Sequence, residues 1–174
     1  MATALTLHTE AGESRRADTR LGKYLTFHLG QEEYGIQVLQ VREIMGLQDI
    51  TPVPQTPHYV RGVINLRGKV IPVLCLRAKF GLPGTEYTSR TCIIVAYIRQ
   101  QRNGGMQVGI VVDDVSEVLN ILENEIEDTP DFGEGVGTPY ILGMAKIKGK
   151  VKILLDIDQV VSPQEMLIAQ ELAS

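Results

Sequence analysis

The chain has 174 residues, of which 44% are hydrophobic and 22% are charged, so it is long enough to bury a substantial core. It contains no run of eighteen apolar residues, which argues against a membrane-spanning helix. The formal net charge of −4 argues against a nucleic-acid binder. Cys75 and Cys92 both lie in apolar stretches, which is typical of reduced thiols and predicts a cytoplasmic protein.

Charge is unevenly distributed along the chain. Residues 50–85 contain five basic residues and no acidic one, whereas residues 103–145 contain nine acidic residues and no basic one. Ordinary solvated surfaces are one explanation of this uneven distribution of charge. Because complementary potentials steer association and suppress wrong partners, the pattern also favours two docking surfaces of opposite charge.

The first ordered segment is predicted to begin near residue 22. Residues 1–21 are polar and lack periodicity, so they are predicted to be a flexible tail. Residues 23–29 alternate with a period of two, which predicts a strand. In that strand Leu25, Phe27 and Leu29 are predicted to face one way and Tyr24, Thr26 and His28 the other, so His28 is predicted to be solvated.

The next stretch has two readings. Residues 34–38 are predicted to form a second strand. Residues 37–46 fit either a helical face or a strand face, and their β-branched content favours a strand that contains a helical turn or a bulge. Three prolines in residues 51–57 predict an extended, stiff connector.

A predicted β-hairpin spans Tyr59–Leu76. Two short apolar strands flank Arg67 and Gly68, and Gly68 tolerates the positive φ that a tight turn requires at its second central position. Arg67 is predicted to point into water at the tip of the hairpin. A near-copy of this stretch covers Tyr140–Ile157, with six identical residues at an offset of 81.

A second internal match supports a duplication. Tyr34–Met45 aligns with Val108–Leu119 at an offset of 74, in the same order along the chain. The two matches together predict a repeated β unit of roughly 70–80 residues.

The second half of the chain repeats the strand-rich pattern. Residues 91–98, 106–112 and 115–121 are predicted to be strands, and residues 162–174 are predicted to be a C-terminal helix that Ser162 caps. The predicted fold class is all-β.

The strands are predicted to form two small five-stranded β-barrels, because closure removes exposed sheet edges. The first barrel is predicted to cover mainly residues 22–81 and the second mainly residues 90–157, within an ordered region of residues 22–161. Each unit alone would be marginally stable, so the two are predicted to pack together or to exchange an end strand.

The sequence offers little for catalysis. Its three histidines fit neither a metal-ligand spacing nor a catalytic triad, and Asp113 and Asp114 point to opposite faces if their segment is a strand. We therefore predict no catalytic residue, metal or cofactor, and a protein that is not an enzyme. A nucleic-acid-binding or ligand-sensing small barrel stays open as an alternative, although the chain has no Trp to stack on bases.

A set of motifs between Lys23 and Val161 closely resembles the CheW family, the coupling proteins of bacterial chemotaxis. The Gly-Val-Ile-Asn-Leu-Arg-Gly run is the most specific of these motifs. The motifs are Glu33-Tyr-Gly-Ile, Val41-Arg-Glu-Ile, Thr51-Pro-Val-Pro, Arg61-Gly-Val-Ile-Asn-Leu-Arg-Gly68, Ile71-Pro-Val, Lys79-Phe-Gly and Val108-Gly-Ile-Val-Val-Asp-Asp.

The resemblance implies a fold of two SH3-like β-barrels and a non-enzymatic adaptor role. It implies two partners, the cytoplasmic tips of chemoreceptors (methyl-accepting chemotaxis proteins) and the regulatory domain of the histidine kinase CheA. It further implies a cytoplasmic protein that is recruited to membrane-associated receptor arrays and self-associates there in some cases. Neither nucleic-acid binding nor membrane insertion is expected.

The resemblance also implies two sets of site residues. The receptor-binding set is Glu43, Gly62, Asn65 and Arg67. The apolar strip that would dock the kinase or another partner is Val38, Val41 and Ile44. Packing in the protein core is the alternative role for this strip, and a requirement of backbone geometry is the alternative role for Gly62.

Overall fold

The computed structural model describes residues 20–99, 105–130 and 139–161. Nearly all of the predicted tail and the whole of the predicted helix at 162–174 lie outside these residues. No helix within the described ranges is long and apolar enough to cross a membrane.

Strands dominate the described residues, and most begin and end within a few residues of the positions that the hydrophobic pattern predicts. A single 3-10 turn, Val38–Gln40, separates β2 from β3, which confirms the reading of that segment as a strand with a helical turn. One-turn helices follow the two hairpins, at Leu76–Lys79 and Ile157–Val160. The strands are β1 (Gly22–Leu29), β2 (Glu32–Gln37), β3 (Val41–Gly46), β4 (Val60–Leu66), β5 (Lys69–Cys75), β6 (Cys92–Ile98), β7 (Met106–Val112), β8 (Asp114–Ile121), β9 (Ile126–Glu127), β10 (Ile141–Ile147) and β11 (Lys150–Leu155).

The strands form two sheets that pack together. One has six strands in the order β8-β1-β2-β11-β10-β9, and the other has five in the order β3-β6-β7-β5-β4. The predicted all-β fold of two small β units is therefore confirmed, although the hydrogen-bonded strand order leaves both sheets open rather than closed into barrels. In the five-stranded sheet a backbone bridge between Thr51 and Val63 extends the ladder beyond β4.

The two sheets do not follow the predicted ranges 22–81 and 90–157. Strands β1 and β2 lie in the six-stranded sheet with β8–β11, and β6 and β7 lie in the five-stranded sheet with β3–β5. Two parallel pairings make this arrangement, β2 with β11 and β5 with β7. Each half of the chain thus contributes its first two strands to the sheet that holds the hairpin of the other half.

The two hairpins share a backbone design, which supports the duplication. Their turns carry positive φ at both central residues, 52° and 85° at Arg67 and Gly68 and 53° and 78° at Lys148 and Gly149. Each first strand has a register shift just before a glycine, Gly62 in β4 and Gly143 in β10. Such agreement at matched positions is expected of a repeated unit.

Three apolar clusters hold the fold. The largest contains buried residues from both sheets and so joins them, with Phe27, Ile36, Ile94 and Leu155 each at most 1% exposed. A second cluster lies within the five-stranded sheet, and a third, around Tyr24, lies within the six-stranded one. Burial of apolar surface on this scale is the main stabilising contribution in a domain of this size.

The side of β1 that carries His28, which is predicted to be solvated, is mostly buried. Tyr24 and Thr26 are fully buried, and only His28 is partly exposed. The reason is that both faces of β1 pack against apolar clusters: Phe27 belongs to the large cluster that joins the sheets, and Tyr24 belongs to the cluster within the six-stranded sheet. Tyr24 donates its hydroxyl to the Arg20 carbonyl (2.6 Å), and the Thr26 hydroxyl donates to the Glu117 carbonyl (2.9 Å), so these buried polar groups are satisfied.

Candidate partner-binding site

The tip of the β4–β5 hairpin is held by its own side chains. Arg67 and Gly68, with positive φ at both positions, have the backbone of a type I′ turn, which matches the twist of the flanking strands. The Asn65 side-chain oxygen accepts a hydrogen bond from the Gly68 amide at 2.9 Å. Asn65 therefore fixes the turn that presents Arg67 to the solvent.

Arg67 reaches across to β3. Its guanidinium forms an ion pair with the Glu43 carboxylate, and hydrogen bonding to that carboxylate raises the pKa of Arg67. The Arg67 side chain is 72% exposed and that of Glu43 is 30% exposed. Three residues of the predicted receptor-binding set, Glu43, Asn65 and Arg67, are thus brought together although 21 positions or more separate Glu43 from the other two.

Gly62 has a different position. It is buried, with φ of 140°, and a Cβ atom on it would lie 2.0 Å from the Thr51 carbonyl oxygen. Thr51 and Val63 exchange two backbone hydrogen bonds of 2.9 Å at this point. Gly62 is therefore required by the close approach of two backbones, and it presents no side chain to a partner.

The predicted apolar strip divides between core and surface. Val38 and Val41 are partly buried and pack against the large cluster that joins the sheets. Ile44 is 44% exposed. Burial alternates along the whole of β3: the odd-numbered residues Val41, Glu43 and Met45 are partly buried, and the even-numbered ones, Ile44 among them, are exposed.

Leu39 is an exposed apolar residue that the sequence reasoning missed. It is 92% exposed, more than any other large hydrophobic side chain in the described residues. It lies at the centre of the 3-10 turn, where the chain changes from β2 to β3. The helical interpretation of residues 37–46 places Val38, Val41 and Met45 on one face and leaves Leu39 outside it, so applying it to Leu39 would have indicated an exposed side chain.

The described residues offer little for catalysis or metal binding. No group of three or more His, Cys, Asp or Glu side chains in the described ranges could hold a metal ion. His28 lies 3.1 Å from Glu33, and the His58 ring lies 3.2 Å from the Ala78 carbonyl, so each ring has a local partner. The exposed polar and apolar groups around β3 and the hairpin tip suit contact with another protein.

Comparisons with known proteins agree on one family. A model described as "CheW-like domain" matches residues 23–165. The chemotaxis protein CheW of Klebsiella aerogenes is 38% identical over 161 residues, which cover 92% of this chain and 94% of that protein. CheW of Rhizobium meliloti is 36% identical over 141 residues, 81% of this chain and 88% of that protein.

A solved structure has the same fold. The crystal structure of the scaffolding protein TtCheW from Thermoanaerobacter tengcongensis matches with a TM-score of 0.72 at 33% identity and covers 83% of this chain and 95% of that one. The matches in sequence and in structure both extend over most of the chain, and the match to the family model includes β3 and both hairpins. The chain belongs to the CheW family of chemotaxis scaffold proteins.

Proposed function

We propose that this protein is a non-enzymatic adaptor that couples the cytoplasmic tips of chemoreceptors to the histidine kinase CheA in a membrane-associated array. Membership of the CheW family supports the role. The observation that carries the proposal is the exposed pair of Arg67 and Glu43, which joins the hairpin tip to β3 beside the exposed Ile44.

The receptor-binding surface in this proposal is centred on Arg67. An exposed ion pair contributes little to folding, so Arg67 is free to exchange or share its bond with a partner's side chain at small cost. Arginine is enriched among the residues that dominate protein interfaces, because its planar fork combines charge with directed hydrogen bonds. Asn65 keeps the turn in shape, and Gly62 lets the Thr51 backbone approach β4.

The kinase-docking surface in this proposal includes the strip Val38, Val41 and Ile44. Ile44 supplies exposed apolar area, and Leu39 adds to it. Val38 and Val41 anchor the same segment to the core and so hold its backbone in place. Interfaces of this kind fall near the low end of stable sizes, about 1,200 Å², and they become effective when many copies bind together in an array.

The test of the receptor surface is Arg67→Glu, with Lys148→Glu as the matched control at the same place in the second hairpin. Receptor-tip binding, measured by titration calorimetry, is expected to weaken at least tenfold in Arg67→Glu because like charges then face each other at Glu43. Lys148→Glu is expected to bind normally. Equal affinity of the two variants would contradict the assignment.

The test of the kinase surface is Ile44→Asp, with Val151→Asp as control, since Val151 is an equally exposed apolar residue of β11 (48%). Pull-down of the CheA regulatory domain is expected to fall for Ile44→Asp and to persist for Val151→Asp, because a charge desolvated in an apolar contact is costly. Retention of the kinase by both variants would remove Ile44 from the proposed interface.

A further inference from the structure

A cavity of about 320 Å³ opens at the base of the β4–β5 hairpin, at the opposite end from the Arg67 turn. The segment that follows the first one-turn helix, residues 81–91, supplies part of its wall. Its buried lining residues are Cys75, Thr91 and Val111. This volume lies within the usual range for small-molecule sites.

Arg61 brings a positive charge to this cavity. It lies at the register shift between Val60 and Gly62, and its guanidinium neighbours the Cys75 thiol and the Tyr87 hydroxyl. Arg61 is exposed overall, and although some desolvation opposes its charge, these two neighbours outweigh that effect and raise the pKa of Arg61. Within the described part of the chain, Arg61 forms no ion pair with a carboxylate.

The other arginine of the cavity is already neutralised. Arg77 donates to an Asp113 carboxylate oxygen at 2.6 Å and to the Pro83 carbonyl at 2.7 and 3.0 Å. Among the described residues that line the cavity, Asp113 is the only carboxylate, and it also accepts from the Gly30 amide at 2.7 Å. One positive charge, on Arg61, is therefore left without a countercharge.

The second copy of the repeat shows what the first one lacks. Leu142 stands at the position of Arg61, and Asp156 stands at the position of Cys75. The Asp156 carboxylate accepts from the Asp158 amide at 3.1 Å and so caps the one-turn helix there. In the first copy the cationic side chain is present and the carboxylate is absent.

We propose that the cavity binds a small organic monocarboxylate through Arg61. A guanidinium forms two parallel hydrogen bonds to a carboxylate, and one such pair balances the single free charge. Val111 and Leu82 offer apolar wall to the rest of the ligand. A phosphate dianion would need a second free cation, which the described lining lacks. The site goes beyond the adaptor role and does not depend on it.

The experiment uses benzoate as the probe and benzamide as its neutral counterpart of the same shape. Binding is followed on the full-length protein by amide chemical shifts. Saturable shifts are expected with benzoate around Arg61 and Cys75, and at least tenfold weaker ones with benzamide. Arg61→Gln is expected to lose at least tenfold in benzoate affinity, and the control Arg90→Gln, at a 79% exposed arginine, is expected to bind normally.

A second variant tests the site without changing Arg61, in case Arg61→Gln has a folding defect. Cys75→Asp places a carboxylate beside Arg61, as Asp156 stands in the second copy, and is expected to abolish benzoate binding by occupying the guanidinium. Absence of saturable shifts, equal binding of benzamide, or unchanged binding by Cys75→Asp would each overturn the proposal. Receptor-tip affinity is measured on the same variants and is expected to stay unchanged. A failure of the carboxylate site can therefore be distinguished from a failure of the adaptor role.

Discussion

The β4–β5 and β10–β11 hairpins have the same backbone and different tips. In each, an amide at the end of the second strand donates to the carbonyl just before the first strand, Cys75 to Tyr59 at 2.8 Å and Asp156 to Tyr140 at 2.7 Å. A one-turn helix follows in both cases. The repeat has therefore kept the features that the main chain needs.

The side chains at the tips have diverged. Asn65 and Arg67 in the first hairpin correspond to Lys146 and Lys148 in the second. Arg67 pairs with Glu43 of β3, whereas Lys146 pairs with Glu127 of the short neighbouring strand β9. Arg67 reaches the opposite edge strand of its own sheet, β3, whereas Lys146 reaches only the adjacent edge strand, β9. This difference favours the first copy as the one that carries the proposed recognition of a partner.

The largest expected effect comes from the glycines that both hairpins share. A Cβ atom at Gly62 would meet the Thr51 carbonyl oxygen at 2.0 Å, and one at Gly143 would meet the Glu127 carbonyl oxygen at 2.8 Å. Gly62→Ala is expected to lower the free energy of unfolding by about 3 kcal/mol, and Gly143→Ala by about 1 kcal/mol. Urea denaturation measures both, and equal losses would show that the two sites are strained alike.

A smaller effect is expected where the second strands differ. Ile71 of β5 is a core residue, but its counterpart in β11, Lys152, is 7% exposed and forms an ion pair with Glu33. Lys152→Met leaves Glu33 without its cation and is expected to cost about 1–2 kcal/mol, less than a fully buried pair because solvent reaches Glu33. Thermal unfolding at pH 7 measures the loss. An unchanged or raised melting temperature would contradict this expectation.

The same pair predicts a pH dependence. Burial alone would raise the pKa of Glu33, but the hydrogen bond and charge of Lys152 outweigh burial, and the net pKa is lower than 4.5. The stabilisation is therefore present above the ordinary pKa of Glu and is lost as pH falls through the lowered value. Stability of the wild type is expected to fall more steeply below pH 4.5 than that of Lys152→Met.

The smallest effect concerns the turns themselves. Arg67 and Lys148 both have positive φ, which Asn adopts more readily than Arg or Lys. Lys148→Asn is expected to stabilise the protein by about 0.5 kcal/mol and leave partner binding unchanged. Arg67→Asn is expected to stabilise as well but to weaken receptor binding. A loss of stability in both variants would show that neither turn is strained.

Local features of this fold could be predicted from the sequence, and long-range ones could not. The Arg67–Gly68 turn, the helical turn near Val38 and most strands follow from periodicity and from turn residues. The burial of Tyr24 depends on which strands flank β1, and the alternation within β1 carries no information about them. The contact of Glu43 with Arg67 could not be predicted for the same reason, because it depends on where β3 lies in the folded protein.

The exchange of strands between the halves has a consequence for synthesis on the ribosome. Strands β1 and β2 leave the ribosome early, yet their partners β8 and β11 include residues up to Leu155. At 5–20 residues per second, the apolar residues of β1 wait roughly ten seconds for the strands that cover them. Contacts this distant in sequence also slow folding. The nascent chain is therefore most open to aggregation and to chaperone binding at its first two strands, until the last hairpin emerges.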